Sequence, residues 1–168
     1  MLSRRTFLGL ASLTFLAACG GPRKPQLLRY DGPAVTQIQI YKAKRRMYLF
    51  SGQDIIKTYK ISLGGNPVGP KRFEGDGRTP EGAYLIDRKN PNSGYHLSLG
   101  ISYPDAHDVA YAESQGRKPG GDIFIHGRAG KHKGGGRDWT AGCIAVKDGQ
   151  IEHIFAMVQI GTPVIIFP

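Results

Sequence analysis

Two side chains in this sequence are equipped for covalent chemistry, His126 and Cys143, one on either side of a glycine-rich basic loop. An imidazole that folding brings beside a thiol can draw off its proton. The thiolate is then a nucleophile for a carbonyl carbon. Gly142 lets the backbone turn sharply before the cysteine. The N–H groups of Ala141, Gly142 and Cys143 could then converge on the oxyanion of a tetrahedral intermediate. The competing reading is a buried structural cysteine, since a free cysteine commonly behaves as a small hydrophobe. The five histidines and Cys143 form no Cys-x-x-Cys, His-x-x-x-His or His-Glu-x-x-His pattern, so neither a metal nor any other cofactor is expected.

The flanking residues predict how the pair is held. Ile123, Phe124 and Ile125 are β-formers after the Pro119-Gly120-Gly121 turn, which sets His126 at the end of a buried strand. A second short strand over 142–146 follows the cysteine. Upstream, Ile38 and Ile40 alternate with Gln37 and Gln39, the pattern of a half-buried strand. Strands at Met47–Phe50 and Ile55–Leu63 complete a meander around the Ser51-Gly52-Gln53-Asp54 turn. Residues 64–82 read as loop, Gly82–Asp87 as strand. In the segment Tyr95–Ile101, His96, Ser98 and Gly100 share the polar side, which puts His96 either at the cleft or in solvent. Asp105–Gln115 reads as a short helix capped by Asp105 and stopped at Gly116, a candidate lid. Asp148 caps a second helix, amphipathic through Ile151, Ile154, Phe155 and Val158. Val164–Phe167 is the last strand. The expected fold is mainly β, a sandwich with one or two short helices.

The first residues read as an address. Ser3-Arg4-Arg5-Thr6-Phe7-Leu8 matches a twin-arginine export signal, and the apolar run to Ala18 is too short to span a membrane. Leu16-Ala17-Ala18-Cys19 resembles a lipobox, whose cysteine is lipidated and becomes the first mature residue; an ordinary signal peptide cut nearby is the alternative. The expected organisation is a signal peptide over 1–18, a lipid-anchored tether over 19–34 and one folded domain over 35–168. That places the protein at the periplasmic face of a membrane. Gly20, in the position where aspartate would retain a lipoprotein in the inner membrane, favours the outer one. With Cys19 lipidated, Cys143 has no intramolecular partner, and an unused thiol is a liability in an oxidising compartment.

The wording around the pair carries a resemblance. His126-Gly127, a spacer, then Thr140-Ala141-Gly142-Cys143-Ile144 resembles the active-site signature of the YkuD-type L,D-transpeptidases. Gly75-Asp76-Gly77-Arg78-Thr79-Pro80-Glu81-Gly82 resembles the family's upstream motif, in the family's order. Ala145 departs from the Arg or Asn that many members carry there. The run Asp138-Trp139-Thr140-Ala141-Gly142-Cys143-Ile144-Ala145-Val146 is similar to a variant subgroup. The resemblance implies a peptidoglycan stem peptide as substrate, Cys143 as nucleophile, His126 as general base and then acid, and a thioester intermediate. No acidic residue adjoins His126, so the Gly127 carbonyl is the candidate to orient its ring. Thr140 is expected to hydrogen-bond within the cysteine loop or to touch substrate.

Charge adds to this. The sequence has 23 basic and 13 acidic residues, a net +10; residues 1–18 hold two of the arginines and no acid, so the exported chain carries +8. Export argues against nucleic acid as the partner. Anionic wall polymers remain, and Arg128 and Arg137 in the loop are candidates to hold stem-peptide carboxylates, with His96 a further contact. A monomer is expected. Two other functions share these residues: an L,D-carboxypeptidase or amidase that passes the acyl group to water, including at lipoprotein–wall linkages, and an inactive peptidoglycan-binding lipoprotein.

Overall fold

The computed structural model describes residues 24–130 and 137–168. The expected export signal, Cys19 and loop residues Lys131, His132 and Lys133 lie outside the described residues. In chain order the elements are β1 (Gln37–Tyr41), β2 (Arg46–Ser51), β3 (Asp54–Lys60), β4 (Gly82–Asn90), β5 (Ser98–Ile101), α1 (Ala106–Ser114), β6 (Phe124–His126), β7 (Ile144–Ala145), α2 (Asp148–Met157) and β8 (Pro163–Phe167).

The fold is mainly β. One eight-stranded sheet runs in the order β3-β2-β1-β8-β4-β5-β6-β7. Neighbours are antiparallel except for two parallel pairs, β1 with β8 and β6 with β7. Alternation does the work in β1 and β2. Ile38, Ile40, Met47 and Leu49 are fully buried, while the residues between them face outward. The sheet curls. Just past β3, Ser62 bridges Ala145 of β7, and Gly64 bridges Thr140, so the two ends of the strand order are tied back-to-back. The expected β-sandwich takes the form of one curled sheet wrapped around a shared core, with two helices.

The meander, the two helices and the last strand fall where the alternation and capping signals put them, with shifts at the ends. Asp105 caps α1 by accepting from the Asp108 N–H, and Gly116, at φ +64, follows its end. In α2 the cap position belongs to Lys147, because the Asp148 carboxylate turns away to accept from the Arg128 and Ala129 amides. Ile151, Ile154 and Met157 bury that helix against β5 and β6. The second half of the expected tether lies on the domain: the Gln26 N–H bonds Glu152 Oε1 at 2.9 Å, and Tyr30 packs on the core.

His96 reads differently from its alternation. Strand β5 starts only at Ser98, and His96 itself sits at φ +78, outside strand geometry. Its side chain is buried, and Nε2 lies 2.8 Å from Glu152 Oε1. It faces neither cleft nor solvent, because a buried carboxylate on α2 claims it.

One buried cation fastens the loop between β3 and β4. Lys42, 2% exposed, donates from Nζ to the carbonyls of Gly69 (2.6 Å) and Thr79 (2.9 Å) and to Glu81 Oε1 (2.8 Å). Burial pulls its pKa down, against the hydrogen bond and charge of Glu81. Removing one partner from such a cluster leaves the others unpaired. Lys42→Met should therefore lower the unfolding free energy by about 3–5 kcal/mol, read from urea unfolding curves, and a loss under ~1 kcal/mol would show that the ammonium is not what holds the loop.

Candidate active site

Strands β6 and β7 pair in parallel, with Ile125 opposite Ile144 and His126 opposite Ala145. Side chains alternate, so Ile125 and Ile144 enter the core together, while His126 and the residue two before Ala145, Cys143, share the opposite face. Both line one cleft of about 230 Å³, with Asn90, Ser93, Tyr95, Ser98, Asp122 and Phe124.

The imidazole is fixed in tautomer and tilt. His126 Nδ1 is 2.6 Å from the Gly127 carbonyl, an acceptor, so Nδ1 carries the proton and Nε2 keeps its lone pair. Burial lowers the His126 pKa, and the Arg128 charge adds to this against the Gly127 hydrogen bond, which keeps the ring neutral. Tyr95 lies against the ring at 4.5 Å between centroids and 35°, and Trp139 meets it edge-on at 5.8 Å and 76°. Gly127 is required by crowding. A Cβ there would come within 2.6 Å of Asp148 Oδ1 and 2.9 Å of the Tyr95 carbonyl.

The thiol is held by backbone. The Phe124 N–H donates to Sγ at 3.4 Å, and Sγ lies 3.4 Å from the Asp122 carbonyl. Burial pushes the Cys143 pKa up and the Asp122 charge adds to it, while the Phe124 amide and the Lys71 charge pull the other way and lose. The resting pair is thus a neutral thiol and a neutral imidazole.

The loop carrying Cys143 is clamped from two sides. The Thr140 hydroxyl donates to the Cys143 carbonyl (2.7 Å) and accepts from the Gly142 N–H (3.2 Å). Thr140 is buried, and its hydroxyl closes the loop, as expected of it. The same bond engages the Gly142 amide, leaving those of Ala141 and Cys143 as the candidate oxyanion donors. Gly142 has φ +138, and a Cβ on it would stand 2.6 Å from the Arg78 carbonyl. That carbonyl belongs to the upstream motif, which is a scaffold. Asp76 accepts from the Arg72 (2.7 Å), Phe73 (3.0 Å) and Arg78 (3.0 Å) amides and from Lys71 Nζ (2.9 Å). Burial alone would raise its carboxyl, but these donors outweigh it and hold the pKa low. Thr79 Oγ1 accepts from the Gly64 amide at 3.1 Å.

Arg128 and Arg137 do not line this cleft. The Arg128 guanidinium reaches Ser62 Oγ at 3.4 Å, lies 5.9 Å from the Trp139 ring and lines a second cavity; Arg137 is exposed and lines a third. No residue of α1 lines the cleft either. Tyr95, Trp139 and Asp122 were missed as site residues. Trp139 had a signal, as the only tryptophan and the neighbour of Thr140; Tyr95 and Asp122 come from loops that only folding brings to the cysteine.

Comparison with known proteins agrees with this geometry. The family model for the L,D-transpeptidase catalytic domain (YkuD) matches residues 36–166. YafK of Escherichia coli K12, whose own assignment as an L,D-transpeptidase is provisional, is 31% identical over 127 residues, 72% of this chain and 46% of that protein. The chain thus spans about half the length of that curated relative. The crystal structure of the helical cell shape determining protein Pgp2 from Campylobacter jejuni superposes with TM-score 0.61 at 28% identity, over 85% of this chain and 51% of that one. Bd1075 of Bdellovibrio bacteriovorus shares the fold, with TM-score 0.58 at 22% identity over 80% of this chain and 47% of that one.

A neutral pair has a measurable signature. Because the folded thiol titrates above its ordinary value of 9.0, alkylation of Cys143 by iodoacetamide should keep climbing through pH 9. A rate that levels off between pH 5 and pH 7 would instead mean a preformed thiolate–imidazolium pair.

Proposed function

Since the chain belongs to the L,D-transpeptidase catalytic domain (YkuD) family, we propose that it is a cysteine-dependent acyltransferase acting on peptidoglycan stem peptides in wall biogenesis and remodelling. The observation that carries this is the cleft shared by Cys143 and a His126 whose Nε2 lone pair is left available by the Nδ1–Gly127 bond.

In the proposed reaction, a stem tetrapeptide lies in the cleft with the carbonyl of its third residue at Sγ. His126 Nε2 takes the thiol proton as Sγ attacks, so charge separation occurs only with substrate present. The oxyanion receives the Ala141 and Cys143 amides. Collapse breaks the C–N bond, His126 returns its proton to the leaving amine, and D-alanine departs from a Cys143 thioester. An acceptor stem amine, deprotonated by the same imidazole, attacks the thioester and restores the thiol. The Tyr95 and Trp139 rings restrict the imidazole to this tilt through both half-reactions.

The proposal includes export under the twin-arginine signal and anchoring of the domain through lipid on Cys19, at the periplasmic face of a membrane and by preference the outer one. A basic, wall-facing domain fits such a placement.

Products decide the reading. Purified protein incubated with tetrapeptide muropeptides and an acceptor stem should give a 3-3 cross-linked dimer by mass spectrometry. Cys143→Ala should give none, and His126→Gln should lower the rate by roughly 100-fold or more while the protein stays folded. Tripeptide without dimer would replace the transferase with the carboxypeptidase or amidase. Undiminished activity of Cys143→Ala would refute the scheme. A folded protein with no turnover that still binds sacculi would be a binding module.

A further inference from the structure

Two adjoining cavities of about 280 and 440 Å³ share Lys60 and Ile61, and the first is lined by Arg128 and Val146, close in sequence to His126 and Cys143. Six cationic side chains line them without an ion-pair partner among the described residues: Lys44, Arg46, Lys60, Arg128, Arg137 and Lys147. Arg45, in the same wall, is neutralised by Asp138, with Nη2–Oδ2 at 2.6 Å. Two of the six stand on strands, and the other four come from turns and loops. Arg46 and Lys60 are direct partners across the β2–β3 ladder, on one face. Like charges so placed repel and weaken the sheet unless an anion lies between them. At the other end, Arg128 Nε is buried without a hydrogen-bond partner.

The groove is joined to the chemistry. Ser62 in its wall pairs through both backbone bonds with Ala145 (2.9 and 2.8 Å), two residues after Cys143. Arg128 faces the Trp139 ring, which also meets the rings of His126 and Tyr95.

We propose that this groove is a second binding site, which holds carboxylates of the wall polymer on stem peptides neighbouring the one in the cleft. This rests on the peptidoglycan reading above. Arginine forks and lysine ammonium groups both bind carboxylates. Cations spread over two cavities suit a polyvalent chain better than a single ion, and binding at both places raises the effective concentration of stems at Cys143. Soluble single stems gain nothing from it.

The test uses Lys60→Glu, which reverses charge where the two cavities meet and sets a carboxylate opposite Arg46, so the fold is not put at risk. Co-sedimentation with sacculi should weaken roughly tenfold in the variant. Sacculi whose carboxylates have been amidated should bind wild type no better than native sacculi bind the variant. Wild-type binding should fall with added salt. Alkylation of Cys143 and turnover of soluble muropeptides should be unchanged. Equal binding of wild type and variant, or equal binding of native and amidated sacculi, overturns the proposal. Groove-dependent retention on phosphatidylglycerol vesicles but not on sacculi overturns it in favour of a membrane surface. Binding and turnover are read separately, so a failed acyltransferase assay with groove-dependent sacculus binding would discard the reaction and keep the site.

Discussion

The register between two very short strands carries the rest of the structure. With β6 and β7 in parallel and His126 opposite Ala145, the imidazole and the thiol two residues earlier emerge on one face, while Ile125 and Ile144 anchor the other in the core. A slip of one residue would turn Cys143 inward and Ile144 out. Strands of three and two residues cannot hold that register alone. It is imposed from both sides: by β5 pairing Ser98 with His126, and by Ser62 pairing with Ala145 as the sheet curls.

Much of the apparatus is concerned with holding a loop still. Asp76 organises the turn that presents the Arg78 carbonyl to Gly142, Lys42 ties that turn to the end of β1, and Thr140 closes the cysteine loop on itself. None of these residues is proposed to touch the reacting atoms. They restrict where Sγ can stand, which is how a scaffold contributes to positioning in catalysis. The proposed chemistry is then left to His126, whose pKa burial lowers, and Cys143, whose pKa burial raises.

The sequence made the fold class, the order of elements and the pairing of His126 with Cys143 legible because each rests on local signals: alternation at Ile38 and Ile40, the Asp105 cap, the glycine before the cysteine. What it hid depends on contacts distant in sequence. His96 alternates as a polar strand residue, yet a buried Glu152 from α2 takes it and the strand begins two residues later. Asp148 reads as a helix cap, but the amides after Gly127 are better partners. Arg128 and Arg137 sit in the active loop by sequence and beside a different cavity in space. Curling the sheet brings the end of β3 and β7 together, and no periodicity encodes which cavity an arginine will line.

The most direct test of the central claim is rapid-quench intact-protein mass spectrometry during turnover of a tetrapeptide stem, followed by peptide mapping. The account predicts a transient adduct equal to the donor less D-alanine, carried as a thioester on Cys143. Turnover with no such adduct, or an adduct on another residue, would contradict it.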